Sequence, residues 1–94
     1  MLKPQQEYKI NSQLSTIVDS LTTQIDVEQG YYNSMEKLIK EQMLPTLIAK
    51  GNVQLAERYI ETVEIMRKTM LSIVELIQKR EYIIHLINIK DVDK

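Results

Sequence analysis

Apolar side chains recur at intervals of seven along almost the whole chain. Val18, Ile25, Tyr32 and Ile39 form one column in the first half, and Leu14, Leu21 and Met35 form a second, interrupted by Glu28 and Gln42. In the second half Ala56, Val63, Met70, Ile77 and Ile84 make an unbroken column. Tyr59, Met66, Ile73 and Ile87 run beside it, interrupted only by Arg80, with Ile60 and Val74 on the flank. Residues seven apart share one face of an α-helix, whereas in a strand they point to opposite faces. The pattern predicts an all-α chain. Two Gly and two Pro in 94 residues agree with it, because an all-β domain needs turn residues about every ten positions.

The clearest boundary is Lys50-Gly51-Asn52. Gly51 suits a left-handed helix C-cap, and Asn52 suits the N-cap of the helix that follows. Gly30, in DVEQGYY, costs a helix about 1 kcal/mol relative to Ala. The repeat nevertheless keeps its phase from Ile25 to Tyr32, so one helix weakened or bent at Gly30 is expected. Asn33 with Glu36 offers the alternative, a capping box that starts a new helix. Pro45, in QMLPTLIAK, lacks a backbone donor and crowds the preceding turn, so the helix kinks or ends there. The expected fold is a long antiparallel helical hairpin. Helix 1 runs from about residue 5 to 49 and helix 2 from about 53 to 88, in a single helical domain spanning 1–94. The closing KDVDK reads as a frayed polar tail.

Each helix carries about three apolar columns, wider than the two-column seam that one helix covers on another. The surplus predicts a homodimer, two hairpins forming a four-helix bundle, or a second helical protein as client or target. The expected interface residues are Tyr31 and Tyr32 beside Gly30, then Met66, Met70, Ile73 and Ile77 on the stripe. Ile83, Ile84, Leu86 and Ile87, in the C-terminal EYIIHLINIK, join them. These last four point in several directions around a helix, so more than one neighbour is expected to cover them.

Twelve basic and thirteen acidic residues leave a net charge of −1. Arg67-Lys68 and Lys79-Arg80 have Glu64, Glu75 and Glu81 as neighbours, which describes a mixed charged face rather than a nucleic-acid surface. With no cysteine, disulfides and thiolate chemistry are excluded. His85 is the only histidine, and with Glu81 one turn before it supplies two metal ligands, short of the three or four that zinc takes. Glu57, Glu61 and Glu64 cluster beside the apolar columns without the inward Glu-x-x-His pairs of a di-metal bundle. Neither a glycine-rich phosphate loop nor a nucleophile elbow occurs. No catalytic residue, cofactor or metal is expected, and the protein reads as non-enzymatic.

No stretch approaches the ~18 apolar residues of a membrane span, and MLKPQQEYKINSQL lacks a signal-peptide core; a cytoplasmic location is expected. The function expected is protein–protein association through apolar helix faces, as a small adaptor, inhibitor or chaperone-like protein of bacterial or phage origin. The alternatives are a secretion partner that pairs with a helical cargo, and a nucleic-acid-associated dimer using Arg67, Lys68, Lys79 and Arg80.

Overall fold

A computed structural model describes residues 4–92, and the side chains of residues 10–89. The chain is all-α. Helix α1 spans Pro4–Leu38, a π-helical turn spans Ile39–Met43, α2 spans Leu44–Lys50 and α3 spans Val53–Val92. The first three follow one another without a gap. Gly51 and Asn52 then reverse the chain, and α3 returns antiparallel. The expected hairpin is what forms.

The helical backbone passes straight through Gly30, whose carbonyl accepts a hydrogen bond from Ser34 Oγ at 3.0 Å. The capping box at Asn33 is not used: the Asn33 Oδ1 accepts from Gln29 Nε2 at 3.1 Å instead. At its far end α3 continues to Val92, past the expected end at 88. Lys90, Asp91 and Val92 of KDVDK are therefore helical, and residues 93 and 94 lie outside the described residues.

Pro45 neither ends the helix nor stands in a plain α-helical turn. The N–H of Leu44 bonds to the carbonyl of Ile39, five residues back, instead of the usual four. One extra residue is thereby taken into the turn just ahead of the proline. That turn is where the pyrrolidine ring crowds the backbone and the chain lacks a donor. The insertion also advances the register. Counting on from Ile39, an undisturbed repeat would turn Gln42 inward; in the structure Gln42 is exposed and Met43 and Leu47 are half-buried.

The reversal is closed at both sides. The Gly51 N–H donates to the Leu47 carbonyl at 2.8 Å, which ends α2. Gly51 sits at φ 14°, ψ 90°, outside the left-handed conformation expected of it, and its bond to Leu47 is the ordinary helical one. Asn52 caps α3 as expected. Its Oδ1 accepts the Leu55 N–H at 2.7 Å, and its carbonyl accepts the Ala56 N–H at 3.0 Å.

Contacts divide the chain into two units, residues 1–26 with 74–94, and residues 27–73. In the first unit Leu21 and Ile25 of α1 are buried, and Leu76, Ile83 and Ile87 of α3 are half-buried. Arg80 is enclosed among them, its side chain 25% exposed, and its Nη1 donates to Thr22 Oγ1 at 3.4 Å. In the second unit Met35 and Ile39 on one side, and Thr69 and Ile73 on the other, are buried.

The seam of α3 in this second unit differs from the expected stripe. Its buried or half-buried positions are Leu55, Tyr59, Thr62, Met66, Thr69 and Ile73, spaced alternately by four and three, with Ala56 half-buried beside Leu55. Val63 and Met70, from the unbroken apolar column, lie on its outer flank and are 42% and 37% exposed. Two threonines take the inner places because their hydroxyls are already satisfied. Thr62 Oγ1 donates to the Arg58 carbonyl and Thr69 Oγ1 to the Ile65 carbonyl, both at 2.8 Å. What each then presents to the seam is a methyl group.

Candidate apolar docking groove

The displaced column opens a groove on the second unit. Tyr32, Glu36, Ile39, Lys40 and Leu44 line one side of it, and Val63, Met66, Arg67, Met70 and Leu71 of α3 line the other. Its volume is about 540 Å³, and its floor is almost wholly apolar. Ile39 is the first residue of the π turn, and Leu44 is the residue whose N–H closes it. Without the inserted residue Leu44 would stand one helical position further toward solvent. The π turn thus supplies part of the groove wall. Leu44 and Leu71 are groove residues that the heptad count passed over: the register jump hides Leu44, and Leu71 falls in neither apolar column.

Glu36, Lys40 and Arg67 rim the groove, and Glu64 stands just outside its lining, held by Arg67. On the α1 side Lys40 Nζ lies 3.1 Å from Glu36 Oε1. On α3 the Arg67 guanidinium grips Glu64 with both arms, Nη2 to Oε1 at 2.6 Å and Nε to Oε2 at 3.3 Å. The hydrogen bond from Arg67 holds the Glu64 carboxyl below its ordinary pKa, and the same contact raises that of Arg67. Glu64 pairs with Arg67 rather than with Lys68 four residues on, as helix spacing alone would suggest.

The expected interface residues fall into distinct settings. Tyr32, Met66 and Met70 line the groove. Tyr31 stands 54% exposed and is not among the groove residues. Ile73, 2% exposed, is enclosed by its own chain. In the other unit Ile77, Ile83, Ile84, Leu86 and Ile87 are all half-buried, while Tyr82 and Ile89 of the same stretch are exposed.

More large apolar side chains are exposed than buried among the described residues. Among the described residues only Leu21, Ile25, Met35, Ile39 and Ile73 form a buried hydrophobic core, against fourteen large apolar side chains left exposed. Ile48, Val53, Val27 and Ile60 are each at least 65% exposed. The chain's accessible surface is 7360 Å², where a folded monomer of 11.0 kDa exposes roughly 5,600 Å².

The polar clusters do not assemble into a second site. His85 and the glutamates Glu57, Glu61 and Glu64 are exposed, and among the described residues no group of three or more His, Cys, Asp or Glu could hold a metal. Arg67 is held by Glu64, and Arg80 faces Thr22 and, at 3.8 Å, Glu81. No described helix is long and apolar enough to cross a membrane. Comparison with known protein families, with curated proteins and with solved structures finds no match for this chain.

Proposed function

We propose that the protein is a non-enzymatic interaction module that binds a helical partner through the apolar groove of its second unit, in the manner of a small adaptor, inhibitor or chaperone-like protein. One observation carries this reading: the unbroken apolar column of α3 flanks the seam, where Val63 and Met70 line an open groove. Uncovered apolar area of this kind is costly in water and becomes favourable when a partner covers it, at roughly 25 cal/mol per Å². Methionine suits such a surface, since its unbranched side chain adapts to the shape it meets. The rim of charged residues around an apolar floor matches the usual layout of a protein interface.

Site-specific photo-crosslinking tests it. A crosslinker at Met70 should give protein adducts, and the same probe at Lys68, on the polar side of α3, should give few. Equal yields from the two positions would remove the groove from consideration.

A further inference from the structure

Resting on the reading of the groove as a docking site, we infer that its occupant is a second copy of this chain, set over it by a two-fold axis that runs along the helices. Such an axis lays the α1 side of each groove over the α3 side of the other.

The order of the rim charges fits this arrangement. Lys40 lies eleven residues before Gly51, and Glu64 lies twelve after Asn52, so the two stand at nearly the same height above the turn. Glu36 and Arg67 each lie fifteen residues from the same turn residues, one layer further away. Read from the turn, one rim is positive then negative, and the other is negative then positive. The two-fold therefore sets Lys40 opposite the second copy's glutamate at position 64, and Glu36 opposite its arginine at position 67. It does so twice. A two-fold axis across the helices would instead set each rim against itself in reverse, Lys40 against Glu36 and Glu64 against Arg67, an arrangement that either charge swap alone would leave complementary. Opposed charges of this kind select a partner and a register more than they add affinity.

A second copy set over the groove would cover its apolar floor. The net charge of −1 opposes such an association very little.

The experiment is a paired charge swap read by analytical ultracentrifugation. One chain carries Glu36→Lys with Lys40→Glu, and the other carries Glu64→Arg with Arg67→Glu. Each swap keeps an ion pair within its own helix, and circular dichroism confirms that both variants fold. The wild type should dimerise at micromolar concentration. Each variant alone should dimerise at least tenfold more weakly, because like charges then meet across both rims. An equimolar mixture of the two should recover wild-type affinity, since every opposed pair is complementary again. Variants that dimerise as tightly as the wild type overturn the inference, as does a mixture no tighter than its components. A wild type that stays monomeric at hundreds of micromolar overturns it too. In that event, adducts from the Met70 crosslinker to a different protein would leave the interaction reading standing, whereas no adducts at all would remove both.

Discussion

Arg80 reaches across the first unit to Thr22, its Nη1 donating to the Thr22 hydroxyl at 3.4 Å. This is a long bond for a guanidinium that is three-quarters enclosed. Arg80 also occupies the one non-apolar place in the column of Tyr59, Met66, Ile73 and Ile87. Its burial carries a desolvation penalty that the long bond to Thr22 and a 3.8 Å contact with the exposed Glu81 carboxylate offset poorly. Arg80→Leu should stabilise the fold by about 0.5–1 kcal/mol, seen as a higher midpoint in chemical denaturation.

Gly30 stands within continuous helix, and a Cβ added there would meet nothing within 4 Å. Alanine has the better helix propensity and loses less backbone freedom on folding. Gly30→Ala should raise stability by about 0.5–1 kcal/mol, measured as an upward shift in melting temperature.

The π turn makes a prediction that separates it from an ordinary helix. Met43→Ala should destabilise by about 1 kcal/mol or more, as loss of a half-enclosed side chain does. Gln42→Ala should stay within about 0.5 kcal/mol, as exposed substitutions do. In an uninterrupted α-helical register Gln42, three residues after buried Ile39, would turn inward and its substitution would cost more, so denaturation of Gln42→Ala decides the geometry.

Asn52 satisfies two donors at the start of α3, one through its side chain. Asn52→Ala should cost about 1 kcal/mol, and amide exchange should quicken first at Leu55.

The Arg67–Glu64 pair has a pH signature. The hydrogen bond from Arg67 depresses the Glu64 carboxyl in the folded state, so the unfolded chain takes up that proton at higher pH than the folded one. The contribution of the pair to stability is present above the ordinary glutamate range and disappears as pH falls through the lowered value. Both residues are solvent-exposed, so the effect on stability is small. Carboxyl NMR titration should find Glu64 below the ordinary glutamate value, and Arg67→Ala should raise it back toward that value.

Much of this architecture is legible in the heptads. Phase held from Ile25 to Tyr32 is enough to carry a helix through Gly30, and Lys50-Gly51-Asn52 marks the reversal with the cap that Asn52 provides. The choice of inward face is not legible from hydrophobicity alone. Ranked that way, Val63 and Met70 outscore Thr62 and Thr69, yet the threonines go inside. A threonine bonded to the carbonyl four residues back behaves as a small apolar side chain, and no hydropathy scale records that local bond. Pro45 is a similar case. Its chemistry announces a disturbance at that point, but whether the chain ends, kinks or takes in one more residue depends on what lies beyond. Met43 and Leu47 are half-buried only after the extra residue is admitted. The groove inherits both uncertainties, since its walls come from the column left on the outer flank and from the displaced turn.

The reversal at Gly51 and Asn52 has a consequence for how halves of the molecule are shared. Only these two residues keep α2 and α3 from reading as one uninterrupted helix. If they were drawn into helical conformation, for instance by alanines at both positions, each chain would open and have to borrow its second arm from a neighbour. The break in helical conformation at these two residues is then what holds a hairpin closed on itself, and its loss converts self-contained chains into domain-swapped ones.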